Sequence, residues 1–315
     1  MNIVCITIKN INKQINKMTE TDFVKKEYRT LAENKTVKDN KEMMKLTGYT
    51  SQQLDKLPPD AVMGIGCGNP VAECNIEPGM RTLDLGCGPG TDVLLSAMKI
   101  APNGLAVGVD YVPEMIERAK QNAKDCPDIE DNTNFGVADL NIGIGFPDNQ
   151  FDYVTANCCL CLLDQPKVFR EVMRVLKPGG HFVFSEVTLK QALPKEVDDL
   201  LKEAFEKHIV PKGNDVASKV FRVYITVAKG DAIIALETLN LLEETGFQNP
   251  KIAVSRHIPG TNEYPEDAKS APQLVSEKLT PVEIAEFKED LDVVLRELDV
   301  NKFASFDTFS SQKPE

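Results

Sequence analysis

Short apolar runs closed by glycine or aspartate recur through the middle of the chain, with helical-period segments between them. Residues 82–85 form such a run, too short for a helix and ending at Gly86, and they predict a buried parallel strand. Residues 105–110 are the next apolar run, and 91–100 between the two predict a helix with Thr91 or Asp92 near its cap. Residues 114–124 predict a second helix with Pro113 at an early position. Strands are expected at 133–139 and 151–156. The spacing of Val168, Phe169, Val172, Val175 and Leu176 within 165–176 is a stripe that packs a helix on a core. Residues 177–180, Lys-Pro-Gly-Gly, predict a turn, and 181–187 the fifth strand, with His181 a structural residue at its start. Strand and helix alternating in this way predict an α/β fold with a doubly wound, Rossmann-like parallel sheet.

The flanks read differently. Residues 1–60 are polar and lysine-rich, with helices expected at 20–32 and 40–46, and Lys56-Leu-Pro-Pro-Asp60 marks a boundary. Residues 61–70 are glycine-dense and predict a loop, with the Cys67 thiol accessible between two glycines. Beyond the fifth strand, helices are expected at 193–209 and 235–245 and a late strand at 248–257. From 260 the chain is acidic, with a helix at 281–298 and a polar end from Ser305. The division expected is an N-terminal helical extension (1–60), a central domain (61–258) and an acidic C-terminal addition (259–315).

Candidate chemistry centres on residues 81–90, Arg-Thr-Leu-Asp-Leu-Gly-Cys-Gly-Pro-Gly. Gly86, Gly88 and Gly90 allow a sharp turn and close approach of backbone to a ligand. Asp110 ends the following strand, where a carboxylate accepts hydrogen bonds from both ribose hydroxyls. A dinucleotide fingerprint needs a third glycine where Thr91 stands, which disfavours a nicotinamide dehydrogenase. The LDLGCGPG stretch resembles the first motif of class I S-adenosylmethionine-dependent methyltransferases, and residues 174–180 resemble their helix-to-strand turn. That resemblance implies a donor held by Asp84, Gly86, Cys87, Gly88, Gly90, Asp110, Tyr111, Asp139, Leu140 and Asn157. Asp84 suits the methionine ammonium, and Asp139 or its neighbouring backbone suits the adenine amino group.

Composition narrows the partners. A formal net charge of −12 over 315 residues repels phosphate, so nucleic acid and anionic membrane are not expected partners. No apolar run approaches the roughly 20 residues of a membrane span, and residues 1–17 lack a secretory signal pattern. They are basic, which leaves an organelle-targeting segment open beside the expected cytoplasmic location. All eight cysteines (5, 67, 74, 87, 126, 158, 159 and 161) fall at or before Cys161 and are expected as free thiols. Cys158-Cys-Leu-Cys161 has no second pair to complete a zinc site.

Gly66-Cys-Gly-Asn-Pro70, residues 147–152 and Asn157-Cys158, taken with the glycine loop, resemble arsenite methyltransferases. The resemblance implies that Cys67 and Cys158 bind trivalent arsenic, a soft centre that favours thiolates, while S-adenosylmethionine presents its methyl group. It also implies a thiol reductant such as glutathione or thioredoxin as co-substrate. The family has a further cysteine after the fifth strand; here residues 224–230 occupy that stretch, and arsenic is left to two thiolates or to recruitment of Cys159, Cys161 or glutathione. Methyl transfer to another small organic acceptor, or metalloid binding without catalysis, are the competing functions.

Overall fold

The computed structural model describes residues 28, 29, 32, 40–190, 233–257 and 304–315. Expectations for Cys5, for the rest of 1–32, and for 193–209, 224–230 and 281–298 fall outside the described residues. The elements are α1 (Lys41–Leu46), α2 (Ser51–Leu54), β1 (Arg81–Leu85), α3 (Thr91–Ile100), β2 (Leu105–Asp110), α4 (Pro113–Lys124) and β3 (Thr133–Val137). Then follow β4 (Phe151–Asn157), α5 (Gln165–Val175), β5 (Leu176–Leu189), β6 (Ile233–Ile234), α6 (Ala235–Thr245), β7 (Gln248–Arg256) and β8 (Ala304–Gln312). Among the described residues no helix is long and apolar enough to cross a membrane.

The strands form one sheet in the order β3-β2-β1-β4-β5-β8-β7, with β6 paired to the end of β5. β1 to β5 pair in parallel, and β8 runs antiparallel to both β5 and β7. Chain order reverses between β1 and β4. At such a switch point the carboxyl ends of neighbouring strands diverge and leave a crevice for a ligand.

Alternation along the strands assigns the two faces. Leu83 and Leu85, Val154 and Ala156, and Phe182 and Phe184 point to one side, where Val168, Phe169 and Val172 of α5 and Leu242 of α6 cover them. On the other face Val93, Leu94 and Ala97 of α3 and Ile116 and Ala119 of α4 pack with Ala106 and Phe135. Met44, Tyr49, Leu54 and Val62 join this second core. The 40–71 segment packs onto the sheet through these residues.

Two expectations are corrected. Residues 177–180 do not end an element before a new strand; β5 begins at Leu176, and the register jumps from Phe151↔Leu176 to Tyr153↔His181, so Lys-Pro-Gly-Gly is a bulge within it. Gly179 has φ +73° there, and its amide donates to the Lys313 carbonyl at 3.1 Å. The polar end expected from Ser305 is β8, inserted between β5 and β7. Its inward residues explain why: Phe309 is fully buried and stacks on Phe184 with centroids 4.9 Å apart, while the buried Thr308 hydroxyl bonds Ser185 at 2.8 Å. Polar composition concealed a strand whose hydroxyls find partners inside the sheet. His181 stacks on Tyr153 at 5.1 Å, in keeping with a structural role.

Because β8 is interior to the sheet, Phe309→Ala is expected to cost about 3–5 kcal/mol through lost burial and a residual cavity. Urea unfolding of the full chain measures this; a loss below about 1 kcal/mol contradicts the packing.

Candidate functional site

A cavity of about 330 Å³ lies at the carboxyl ends of β1, β2 and β4, within the usual range of about 300–1,000 Å³ for small-molecule sites. Its floor is the turn after β1. Gly86, Gly88 and Gly90 have φ of +66°, +51° and +90°, which side-chain-bearing residues rarely adopt. Asp110 braces this turn: one carboxylate oxygen accepts the Gly88 amide at 2.9 Å and the other the Val112 amide at 2.8 Å. Ile65 lies over Gly88 from the opposite wall.

The wall opposite the β2 end is the loop 64–69, held by one side chain. The Asn157 amide oxygen accepts from the backbone of Cys67 (3.1 Å) and Gly68 (3.2 Å). Its nitrogen, with two protons, lies within hydrogen-bond distance of three acceptors, the Gly68 carbonyl (2.8 Å), the Tyr49 hydroxyl (3.0 Å) and Asp92 (3.1 Å), and Tyr49 donates to the other Asp92 oxygen at 2.7 Å. The glycines are required by proximity. A Cβ on Gly66 would come within 2.6 Å of the Asn157 amide, and one on Gly68 within 2.2 Å of the Ser185 hydroxyl.

Of the residues singled out in the sequence, Asp84, Gly86, Cys87, Gly88, Asp110, Tyr111, Asp139, Leu140, Asn157 and Cys158 all line the cavity. Gly90 is not among the lining residues; it is the N-cap of α3, where neither Thr91 nor Asp92 makes a side-chain cap bond. Cys67 is not among them either. It is 3% exposed rather than accessible, because Asn157 draws its backbone inward. Its thiol lies close enough to that of Cys158 for the two to influence each other, and it also comes within 4.0 Å of the Asn157 amide oxygen. Burial first, and then Cys158, raise the Cys67 thiol well above its ordinary value.

Cys158 has φ +62°. A non-glycine residue in this conformation is strained, and such strain collects at functional sites. Its amide donates to the Ser185 carbonyl at 2.8 Å, which ties the turn to β5. Cys159 also lines the cavity, with its thiol donating to the Leu85 carbonyl at 3.1 Å.

Among the lining residues to which sequence reading assigns no part in the site are Tyr28, Tyr49 and Asp92, the last read only as a helix-cap candidate. Asp92 stands two positions past the glycine loop, a signal that was available; the tyrosines arrive from distant sequence and carried none. Tyr28 is fixed beside the cavity by its neighbours, since Arg29 pairs with Glu114 at 2.6 Å and Arg118 donates to the Ala32 carbonyl at 3.2 Å. Burial, then the adjacent Cys158, Cys161 and Asp110, raise the Tyr28 phenol, so it is a neutral donor.

The electrostatics are those of a site awaiting a cation. Burial raises Asp84 well above the carboxylate range, and Asp92 and Asp110 add to it, while a 2.7 Å bond from Thr155 works in the other direction. Burial likewise raises Asp92 to about 6. Among the described residues no group of three or more His, Cys, Asp or Glu is arranged to hold a metal ion.

The family model for the methyltransferase domain matches residues 76–246. An arsenite methyltransferase of Halobacterium salinarum is 34% identical over 151 residues, 48% of this chain and 38% of that protein. A ubiquinone/menaquinone biosynthesis C-methyltransferase of Vibrio parahaemolyticus is 29% identical over 180 residues, 56% of this chain and 67% of that one. The chain thus spans well under half the length of the halobacterial relative. An arsenic(III) S-adenosylmethionine methyltransferase from Chlamydomonas reinhardtii has a similar fold, with TM-score 0.51 and 23% identity, covering 87% of this chain and 73% of that one.

The buried carboxylates predict an unusual pH response. Asp92 goes from 3.8 to about 6 and Glu186 from 4.5 to about 7 on folding. A raised carboxyl binds more protons folded than unfolded, so its stabilisation is complete below the unfolded value and lost as pH rises through the folded one. For Asp92 the loss spans about pH 4 to 6 and amounts to about 3 kcal/mol at about 1.4 kcal/mol per unit. Urea unfolding of ligand-free Asp92→Asn is expected to show a flatter slope in that window than the wild type; an unchanged slope counts against it.

Proposed function

Because this chain belongs to the methyltransferase-domain family, we propose that it transfers a methyl group from S-adenosylmethionine to trivalent arsenic held by Cys67 and Cys158. The observation that carries the acceptor is the contact of these two thiols across a gap of ninety positions, beside a cavity rich in buried carboxylate.

The residues fit the donor. Asp84 is buried with no cationic side chain among the groups that shift it, so the methionine ammonium is a natural counter-ion. Gly88 leaves room for close backbone approach, and Asp110 accepts from ribose hydroxyls. Asp139 and Leu140 lie further along the cavity, at the adenine end of this reading. When bound, the donor supplies an electrophilic methyl on a sulfonium.

On the acceptor side, each thiol that binds arsenite displaces one hydroxyl: the sulfur joins arsenic and the thiol proton leaves with the hydroxyl as water. Sulfur ligation leaves the arsenic lone pair as nucleophile, so no general base acts on it. Asn157 fixes Cys67 through its backbone, and the strained turn fixes Cys158; the chain's contribution is alignment of nucleophile and methyl carbon. Attack of the lone pair on the methyl carbon breaks the methyl–sulfonium bond and leaves arsenic formally two electrons more oxidised; glutathione or thioredoxin is the thiol co-substrate of this reading, oxidised to a disulfide as it returns arsenic to the trivalent state.

The second acceptor class is a small organic carbon nucleophile, favoured by the apolar lining Ile65, Leu162 and Leu163 and by the quinone-pathway relative. Release of S-adenosylhomocysteine, followed with and without arsenite in the presence of glutathione, separates the two. Arsenite-dependent release is expected in the wild type. It should fall by about a hundredfold or more in Cys158→Ser, as befits loss of an acceptor ligand. Release that ignores arsenite but responds to an organic acceptor transfers the function to the second class.

A further inference from the structure

The cavity holds a third thiol that the reading above does not use. Cys161 lines it, partly exposed, three residues beyond Cys158. Cys158 and Cys161 both border the Tyr28 phenol, and both lie near enough to Cys67 to act on its thiol. Cys159 does not compete for the role: its thiol is committed to the Leu85 carbonyl and packed against Gly86.

Beneath this turn sits Glu186 of β5, fully buried. Oε1 accepts the Leu160 amide at 2.7 Å, and the Cys161 thiol and the amides of Cys161 and Cys159 lie close enough to favour the ionised carboxylate. Oε2 has no well-formed partner. A buried carboxylate with an orphan oxygen, opposite the buried Asp307 of β8, costs stability that a leucine there would not. What the charge contributes is placement, because it gathers the amides of the turn and aims one thiol at the cavity.

We propose that Cys161 is a third acceptor-binding thiol and that Glu186 is the positioning residue that presents it, an inference that rests on the arsenic reading above. Arsenite bound by Cys67 and Cys158 has lost two hydroxyls as water and keeps one. Exchange at the third position forms an As–S bond to Cys161, breaks the As–O bond, and releases the hydroxyl with the thiol proton as water; nothing is oxidised or reduced. In this proposal Cys161 turns from Glu186 to arsenic when the metalloid binds. Three sulfur ligands then come from residues 67, 158 and 161, without the later cysteine.

The test is iodoacetamide alkylation of the full chain with and without saturating arsenite, mapped by mass spectrometry, beside arsenite and donor KM values for variants. In the wild type, arsenite is expected to slow alkylation of both Cys158 and Cys161 by about tenfold or more. Cys161→Ser should raise the arsenite KM by about tenfold, roughly the effect of one lost ligand, with the donor KM unchanged. Glu186→Gln should do the same more weakly and Glu186→Asp should recover part of the loss. Protection of Cys158 with Cys161 alkylated at its free rate sinks the third-thiol assignment and leaves the arsenic acceptor standing. Protection of neither thiol overturns both. Should Glu186→Gln fail to fold, Cys161→Ser and the wild-type protection pattern still decide the matter.

Discussion

The hydrogen bonds of the Asn157 side-chain amide are the constraint on which the site depends. They bring the 64–69 loop, the α1–α2 segment through Tyr49, and the first turn of α3 through Asp92 to one point at the end of β4. Each group is largely shielded from water, so each bond is stronger than at the surface and each loss would leave a buried polar group unpaired. Gly66 and Gly68 are the counterpart of this clamp, since any side chain there would hold the loop away from it. The two candidate acceptor cysteines, far apart in sequence, meet because they flank the two ends of the same amide.

Against this packed wall, the cavity concentrates negative charge. Asp84, Asp92 and Asp110 lie within one another's influence, and burial works against the ionised form of each. A cationic ligand would relieve that conflict, since among the described residues no cationic side chain is among the groups that shift Asp84. The same arrangement costs the empty protein stability, a familiar exchange at sites built for binding rather than for rigidity.

Much of this was legible in the sequence. The strand–glycine loop–helix–strand–Asp order specified the crevice because a short apolar run, a turn needing φ > 0 and an acidic strand end each have one simple structural reading. Helix α6 and strand β7 were likewise readable from periodicity. What escaped was long-range. The tyrosines that reach the cavity come from segments whose local pattern is unremarkable, and β8 is written in serine, threonine and aspartate whose burial only its partners explain. The inward turn of Cys67 was also hidden, because two flanking glycines signal a free loop as readily as a clamped one. Asn157 was visible as a strand-end residue, but its grip on residues ninety positions upstream was not.

The place of β8 bears on how the molecule assembles. Strands β1 to β5 are contributed by one continuous stretch, so their pairing closes only modest loops. Among the described residues β7 pairs in the sheet with β8 alone, and β8 must first find β5 across a long separation in the chain. Loop-closure entropy opposes that step. The donor crevice between β1 and β4 therefore belongs to the half of the sheet that can form early, whereas the outer half waits on a single late docking event. Until it occurs, β5 presents an open apolar edge next to Phe182 and Phe184, a surface on which two unfinished chains can pair with each other instead.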